Sequence, residues 1–331
     1  MRRNSNMNST LSPKDIVKEI IANKEVESIV FVGCGASKAD LYPAKYFLEQ
    51  NANKLRISHF TANEFNYATP RSINDHTVVI SASLGGTTPE TVQANAVAKE
   101  QGATVISLTH SVDSPLTKDA DYVIYHRFTE DYAAKLEKTG YCLELAVELL
   151  NQIEGYKDYD KMMDGFDKIY DLSQESAKGA RLQAKKFAER FKNEKVIYVM
   201  SSGATHEVAY STSICLMMEM QWIHSGTFHS GEFFHGPFEI TDKDVPFILL
   251  MNDGRTRQMD ARALTFLNRF DAKIEIVDAL DWGLSAHIAK EVLDYFNPFV
   301  ITAVFRVYAE ELAEVRQHPL TKRRYMWKLE Y

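Results

Sequence analysis

The sequence predicts an α/β protein built from two tandem doubly wound parallel sheets of the flavodoxin-like type, joined by a helical connector. Short β-branched apolar runs alternate with helix-like segments, which is typical of parallel sheets. Three such runs begin at residues 29, 78 and 104, and three more begin at residues 196, 247 and 274. The offsets of 167 to 170 residues indicate a duplicated domain.

The apolar runs in each half read as strands buried on both faces. They are nearly continuous rather than alternating, and each of the first three ends in Gly, Ser or Thr. The runs are IVFVGCG from Ile29, VVISAS from Val78, TVISLT from Thr104, VIYVMSSG from Val196, FILLMNDG from Phe247 and IEIVDA from Ile274. Helix-like segments between the first three cover residues 41–50 and a stretch beginning at Pro89.

The charged, Tyr-rich stretch between the two halves reads as connecting helices, YKDYDKMMDGFDKIYDL and AKGARLQAKKFAERF. Neither a proline-rich nor a low-complexity linker interrupts it. We expect an N-terminal helical segment at residues 1–25, a first domain at 26–155, a helical connector at 156–190 and a second domain at 191–331.

Composition limits the classes of function. The 331 residues carry a net charge of −7, which argues against a nucleic-acid-binding protein because such a protein needs a basic face. No run of 18 apolar residues predicts a membrane span, and the polar N-terminus lacks the apolar core of a signal peptide. The cysteines Cys34, Cys142 and Cys215 are odd in number and widely spaced, so we expect free, mostly buried thiols in a reducing cytoplasm.

The turn after the first strand, GCGASKAD, is a candidate ligand site, because ligands gather at the carboxyl ends of parallel strands. Gly33 and Gly35 permit a tight turn, and Ser37 offers a hydroxyl. Lys38 stands where a dinucleotide fingerprint would have its third glycine, which disfavours a nicotinamide cofactor. The alternative is an ordinary turn in which Ser37 only caps a helix.

The turn after the second strand, SASLGGTTPET, is richer in hydrogen-bond donors. Ser83, Thr87 and Thr88 carry hydroxyls, Gly85-Gly86 exposes backbone N–H groups, and Pro89 suits the first turn of a helix. Such a loop at a helix N-terminus fits a phosphate group. A Walker loop is absent, so a nucleoside triphosphate is not expected. The alternative is a capped helix with a threonine-rich turn.

A third candidate site lies in MEMQWIHSGTFHSGEFFHGPFEI, residues 218–240. Residues 206–224 read as a helix whose apolar face carries positions 208, 215, 218 and 222, which places Glu219 on or beside that face. A poorly hydrated carboxylate there can act as a proton-transfer base. The alternative is a structural glutamate in an ion pair.

The loop after that helix carries His235. Sharp turns at Gly231 and at Gly236-Pro237 could return His235 to a ligand site, and a glutamate with a histidine forms a plausible base and acid pair. His224, His229 and His235 are spaced by five and six residues, which is not the spacing of a helical metal pair. We therefore expect no metal ion.

Together, the Ser37 turn, the Ser/Thr loop and the Gly-Glu-x-x-His-Gly-Pro element resemble the sugar-isomerase (SIS) domain superfamily. That group includes the isomerase half of glutamine–fructose-6-phosphate aminotransferase. The segment SICLMMEMQWIHSGTFHSGEFFHGPFEI, VPFILL and the tail HPLTKRRYMWKLEY are more similar to the fructosamine 6-phosphate deglycase branch, which includes fructoselysine 6-phosphate deglycase. The resemblance covers nearly the whole chain beyond the first twenty or so residues.

The resemblance implies a hydrolytic deglycase that needs neither a metal ion nor an organic cofactor and works as a homodimer or higher homo-oligomer. Glu219 would move a proton between C1 and C2 of the sugar. His235 would assist ring opening and protonate oxygen, in its own or a neighbouring subunit's site. The residues implied to bind the phosphate and the substrate are Ser37, Ser83, Thr87, Thr88, Gly35 and Gly86.

Two positions depart from the family pattern. Gly85 stands where the phosphate loop usually has a second serine. Tyr325 stands where the aminotransferase has the lysine that opens the sugar ring, with Lys322 and Lys328 out of register. Arg324 and Tyr325 belong to an aromatic tail that could line the amine pocket or seal a dimer interface.

Two other functions remain open from the sequence. A phosphosugar aldose–ketose isomerase would use the same base and the same phosphate loop. A non-catalytic sugar-phosphate-binding protein would keep only the phosphate loop, although such domains usually accompany a DNA-binding segment, for which the first 25 residues are too short. The sequence does not determine which amine or amino acid a deglycase would release.

Overall fold

The computed structural model describes residues 11–330, which divide into two compact units. The first unit contains the described residues up to Glu130 together with Glu137–Tyr159. The second unit contains Asp131–Leu136 and the described residues from Asp160 onward.

Strands and helices alternate through most of the described chain. The strands are β1 Ser28–Gly33, β2 Arg56–Thr61, β3 Thr77–Ala82, β4 Thr104–Thr109, β5 Tyr122–Tyr125, β6 Val196–Ser201, β7 His224–His229, β8 Pro246–Met251 and β9 Lys273–Asp278. The α-helices are α1 Pro13–Asn23, α2 Gly35–Asn51, α3 Ala62–Tyr67, α4 Pro89–Glu100, α5 Glu137–Ile153, α6 Tyr159–Gly179, α7 Arg181–Phe191, α8 His206–Ser211, α9 Arg257–Asn268, α10 Leu284–His287 and α11 Asn297–Val315. A π-helix, Thr212–Met220, continues α8 without a break.

The first unit contains a parallel sheet in the order β2-β1-β3-β4-β5, which is the flavodoxin-like order. Strands β1, β3 and β4 are buried along their whole length, as their uninterrupted apolar runs predict. One core cluster joins α3 and α4 to this sheet, with Phe65 and Ala94 against Val30 and Val79. The strand order reverses at β1 and β3, which are neighbours in the sheet. The turns that follow these two strands therefore lie side by side.

The second unit contains a parallel sheet in the order β7-β6-β8-β9, the same order without a fifth strand. Its core places Phe247 and Leu249 of β8 with Leu267 of α9 and with Phe233 from the loop after β7. These two sheets confirm the predicted fold class of two doubly wound α/β domains.

The six strands predicted from apolar runs are all present, and the sequence analysis missed β2, β5 and β7. These three lie at sheet edges. Polar residues interrupt β2 and β7, and β5 has only four residues, so none of the three shows the longer apolar run of a central strand. The segment His224–His229 was expected to be helix and loop, and it is instead an edge strand paired with β6.

The predicted helix over residues 206–224 ends at Met220, and its second half is wound as a π-helix. A π-helix has i→i+5 hydrogen bonds, so residues no longer follow the 3.6-residue spacing on which the prediction depended. Met218, expected on the buried face, is 38% exposed. Trp222 lies beyond the helix, with a positive φ of 56°.

The cysteine prediction holds for Cys142 and Cys215, which are buried and form no disulfide among the described residues, whereas Cys34 forms no disulfide but is partly exposed. Within residues 11–330, no helix is long and apolar enough to cross a bilayer.

Candidate active site

The turn between β1 and α2 presents Ser37 beside a buried lysine. Helix α2 begins at Gly35, whose φ of +53° is left-handed, and its N-cap is Cys34. Ser37 is therefore not the cap that the alternative interpretation required. Its hydroxyl accepts a hydrogen bond of 2.8 Å from Nζ of Lys138.

Lys138 lies near the start of α5 and is 3% exposed. Its ammonium forms an ion pair of 2.9 Å with Asp40 in addition to the contact with Ser37. Burial of an amino group is costly unless partners compensate it, so these contacts hold the charge in place. The first unit thus keeps a fixed positive charge beside the hydroxyl that sequence reasoning assigned to the phosphate.

A buried histidine responds to the same charge. His126 is 1% exposed, and its Nδ1 lies 2.8 Å from the carbonyl of Arg127. Burial, and then the nearby charge of Lys138, lowers the pKa of His126 to about 3. His126 is therefore neutral at physiological pH, and Lys138 carries the local positive charge.

The turn between β3 and α4 brings the predicted hydroxyls together. Gly33 of β1 is in register with Ala82 of β3, so this turn adjoins the Ser37 turn. The hydroxyls of Ser83 and Thr88 are 2.9 Å apart. Thr88 is the N-cap of α4, but its side chain makes no capping hydrogen bond. The hydroxyl of Thr88 therefore faces Ser83 rather than capping α4.

Gly86 shapes this loop through its backbone. It has a φ of +63°, and its carbonyl accepts a hydrogen bond of 3.0 Å from the N–H of Leu116. A Cβ at Gly86 would lie 1.9 Å from Oγ of Ser114, a clash that only glycine avoids. Gly85 and Thr87 are exposed at the rim of the loop.

The hydroxyls at the carboxyl ends of β1 and β3 were predicted from the sequence, but the charged side chain of Lys138 was not. Lys138 is one of 38 lysines and arginines, and it lies 101 residues from Ser37 along the chain. No local motif marks it, because its role depends on the packing of α5 beside α2.

Glu219 lies on the π-helix of the second unit, where its side chain is 23% exposed. The π-helix also buries Cys215 and Met217, so Glu219 lies beside an apolar face, as predicted. π-helical segments recur at functional sites, which is consistent with a chemical role for this glutamate.

Glu219 is not an isolated carboxylate. Nη2 of Arg323 lies 2.6 Å from Oε1 of Glu219, and the Arg323 side chain is only 8% exposed. The alternative interpretation, in which the glutamate forms an ion pair, is therefore correct about this contact. The sequence analysis missed Arg323 and considered its neighbours Arg324 and Tyr325 instead.

His235 lies at an exposed position in the loop after β7. Its N–H donates to the carbonyl of Glu232 at 2.9 Å, and Gly236 follows with a φ of +131°. Phe233, two residues earlier, is fully buried and anchors the loop. Among the described residues, no hydrogen bond or ion pair joins His235 to Glu219.

The C-terminal tail, residues 316–330, contacts the end of the Glu219 helix. The guanidinium of Arg324 lies 4.3 Å from the centroid of the Trp222 ring, and the ring of His318 meets the same indole edge-on at 4.5 Å. The buried amide of Gln221 donates to the carbonyl of His318 at 2.8 Å. Tyr325 is 59% exposed.

The corresponding edge of the second sheet is filled by its own side chains. The amide Nδ2 of Asn252 donates to Ser202, Thr256 and Asp260 at 3.1, 3.0 and 2.7 Å. A Cβ at Gly203 would lie 2.4 Å from Oγ1 of Thr256. Of the two switch points, the one in the first unit is therefore the better candidate for an anion.

Known proteins resemble this chain in sequence and in fold. A family model described as the SIS domain matches residues 20–140. The chain is 40% identical over 311 residues to fructosamine deglycase FrlB of Bacillus subtilis (strain 168), which covers 94% of both chains. It is 24% identical to fructoselysine 6-phosphate deglycase of Escherichia coli (strain K12), over 94% of this chain and 88% of that protein.

A solved structure from Salmonella typhimurium LT2, assigned as a phosphosugar isomerase, is similar throughout. It superposes with a TM-score of 0.93 and 42% identity over 97% of this chain and 98% of that chain.

Proposed function

Because the chain belongs to the SIS-domain family, we propose that it is a fructosamine 6-phosphate deglycase. Its substrate would be a phosphorylated ketosamine such as fructoselysine 6-phosphate, and its products glucose 6-phosphate and a free amine. The observation that carries this proposal is the 40% identity to a fructosamine deglycase across nearly the full length of both proteins.

The first unit would hold the phosphate. Ser37, Ser83 and Thr88 supply hydroxyls, the first turns of α2 and α4 supply backbone N–H groups, and Lys138 supplies charge. Helix N-termini favour anions, and a buried ammonium strengthens that preference. Gly85 removes one hydroxyl of the usual family loop, and Thr87 lies close by on the rim.

The reaction would proceed by proton transfer at Glu219. The carboxylate takes a proton from C1, the C1–H electron pair forms the C1=C2 bond, and the C2 oxygen takes a proton from His235. The resulting enaminol regains a proton at C2 from Glu219 as the nitrogen lone pair forms the C1=N bond. Water then adds to C1, the C1–N bond breaks, and the amine leaves with a proton.

No lysine of the protein needs to form an imine in this scheme, because the substrate's own amine supplies it. The two tail lysines near the expected position are engaged elsewhere. Lys322 lies 5.1 Å from the centroid of the Trp222 ring, and Nζ of Lys328 donates to the carbonyl of Arg323 at 2.7 Å. The absence of a lysine at the position of Tyr325 is therefore compatible with a deglycase.

We propose that the enzyme works as a homodimer or larger homo-oligomer in the cytoplasm. The exposed position of His235 supports a role toward substrate in its own or a neighbouring subunit's site. The cysteines Cys34, Cys142 and Cys215 form no disulfide among the described residues, which supports a reducing compartment.

The test is release of glucose 6-phosphate from fructoselysine 6-phosphate, read by a coupled dehydrogenase. Glu219→Gln and His235→Ala are each expected to lose at least ~10²-fold in kcat, because a positioned acid or base contributes about 10²–10⁴ in rate. Melting temperatures close to that of the wild type would show that the fold persists. Turnover near that of the wild type in either variant would refute the assigned role of that residue.

The second candidate is a phosphosugar aldose–ketose isomerase, favoured by the similarity to the Salmonella structure. The same assay run with fructose 6-phosphate separates the two. Glu219-dependent interconversion of fructose 6-phosphate without amine release would move the protein to the isomerases.

A further inference from the structure

The contact between Arg323 and Glu219 joins two buried or half-buried charges that the mechanism treats separately. Nη2 of Arg323 lies 2.6 Å from Oε1 of Glu219. The arginine side chain is 8% exposed, so solvent screens this pair far less than a surface ion pair. The charge of Arg323 therefore acts directly on the carboxylate assigned as the base.

The tail fixes the guanidinium through its own backbone. Nη1 of Arg323 donates to the carbonyls of Leu320 at 2.7 Å and Lys322 at 2.9 Å, which leaves Nη2 directed at Glu219. The guanidinium also lies 5.2 Å from the centroid of the Trp327 ring. These contacts define the orientation of Arg323 before any substrate binds.

The backbone near both partners of this contact is strained. Trp327 has a φ of +61° and Trp222 a φ of +56°, which are unfavourable values for bulky side chains. Such conformations cluster at functional sites, where the surrounding structure enforces them. Both ends of the Glu219–Arg323 contact are thus held by residues in conformations that packing must impose.

The contact leaves one carboxylate oxygen available. Arg323 approaches Oε1, and within residues 11–330 no hydrogen bond reaches Oε2 of Glu219. A base in an isomerisation must accept the C1 proton and later return it to C2. With Oε1 held by Arg323, Oε2 is the oxygen left to accept the proton and return it.

We propose that Arg323 is a positioning residue that orients the Glu219 carboxylate by holding Oε1, so that Oε2 transfers the proton. This inference rests on the proposed function, because it presupposes that Glu219 is the base. The inference gives the C-terminal tail a role in the site that is separate from those of the phosphate loop and the His235 loop.

The test compares three tail variants in the glucose 6-phosphate release assay. Arg323→Met is expected to lower kcat by about 10²-fold with KM changed less than about threefold, because it removes an interaction needed in proton transfer rather than in binding. Arg323→Lys keeps the charge and is expected to recover at least about tenfold of that loss. Lys322→Met is the matched control, since it loosens the same tail from Trp222 without touching Glu219, and its kcat is expected to stay within about threefold of wild type.

A second measurement separates loss of the guanidinium group from loss of the fold, because only a folded variant can be rescued by added guanidinium ion. Arg323→Ala is assayed with and without millimolar guanidinium ion, which is expected to restore activity in a saturable manner. Solvent deuterium incorporation into C1 of recovered substrate should fall in parallel with kcat in the Arg323 variants, since the affected step is proton transfer.

Three results would overturn the inference. A rise in KM with kcat unchanged in Arg323→Met would make Arg323 a substrate-binding residue. Equal losses in Arg323→Met and Lys322→Met would make the tail a packing element. Full activity in Arg323→Met with Glu219→Gln inactive would leave the proposed function intact and remove the role of Arg323. No release of glucose 6-phosphate by the wild type would remove the proposed function itself.

Discussion

Lys138 shows how one buried charge can define a ligand site. Its ammonium is within hydrogen-bonding distance of Ser37 and paired with Asp40, and its burial protects it from solvent screening. Surface lysines attract anions only weakly and in a salt-dependent manner. A phosphate beside Ser37 would therefore meet a stronger field than hydroxyls and backbone N–H groups provide alone.

We predict that Lys138→Met weakens binding of glucose 6-phosphate at least about tenfold, because a hydrogen bond to a charged group contributes roughly 1.5–3 kcal/mol. Isothermal titration calorimetry with glucose 6-phosphate, and separately with inorganic phosphate, measures this loss. Asp40→Asn is the matched control, since it removes the partner of Lys138 but keeps the ammonium, and its affinity should equal or exceed that of the wild type. Unchanged affinity in Lys138→Met would show that its charge serves only the packing of α5.

The loop between β3 and α4 depends on a left-handed glycine next to an ordinary one. Gly86 is buried against Ser114, whereas Gly85 is exposed and a Cβ there would approach only Oγ1 of Thr87, at 3.6 Å. Gly85 can therefore be replaced by alanine without a clash, whereas Gly86 cannot.

We predict that Gly86→Ala lowers both the melting temperature and the affinity for glucose 6-phosphate. The left-handed backbone alone costs roughly 1–2 kcal/mol for a residue with a Cβ, and the clash with Ser114 adds to that cost. Gly85→Ala should stay within about 0.5 kcal/mol of wild type, as surface substitutions usually do. Differential scanning calorimetry of the two variants distinguishes them, and equal melting temperatures would contradict the role given to Gly86.

The Glu219 helix illustrates what local periodicity can and cannot predict. An apolar stripe identified the helix and placed Glu219 beside it. The change to π-helical winding, the exposure of Met218 and the early end before Trp222 were not predicted. These features depend on the packing of the segment against β6 and β7, which the local sequence does not encode.

At the scale of the whole molecule, buried titratable groups in the two units respond to pH with opposite signs. Burial and the charge of Lys138 lower the pKa of His126 to about 3, whereas burial raises the pKa of Asp260 to about 6. Both groups are almost fully buried, at 1% and 0% exposure, so each protonation state is coupled to folding.

The sign follows from which state binds the proton. Below about pH 6.5 unfolded His126 is protonated and folded His126 is not, so the free energy of unfolding falls as pH drops from about 6.5 toward 3. Between about pH 4 and 6 folded Asp260 keeps a proton that the unfolded chain releases, so its contribution to the free energy of unfolding falls as pH rises. Each slope is at most about 1.4 kcal/mol per pH unit.

We predict that the free energy of unfolding of His126→Gln falls less steeply in acid than that of the wild type. In Asp260→Asn, the fall in the free energy of unfolding as pH rises toward neutral should disappear. Urea unfolding in steps between about pH 4 and 6.5 measures both slopes. The wild type serves as the common reference. Burial also lowers the pKa of His59 to about 3, so His59 accounts for part of the acid sensitivity that remains in His126→Gln. Parallel pH profiles for the wild type and both variants would contradict these assignments.

The sequence by itself determined the architecture and half of the candidate chemistry. Central strands of parallel sheets are largely buried on both faces, so β1, β3, β4, β6 and β8 appear as continuous apolar runs. The edge strand β9 was predicted from its shorter run, although it is only partly buried. The turns at their carboxyl ends carry the hydroxyls of Ser37, Ser83 and Thr88 in local, readable motifs. Local backbone preferences and burial are encoded residue by residue, so they can be predicted from the chain alone.

Only the tertiary structure decided which charges meet those motifs. Edge strands β2, β5 and β7 were missed because polar residues interrupt β2 and β7 and because β5 has only four residues. Lys138 reaches Ser37 across 101 residues, and Arg323 reaches Glu219 from the far end of the second unit. A lysine or arginine in a sequence is by default a solvated surface residue, and only the packing of distant elements turns it into a buried partner of a specific side chain.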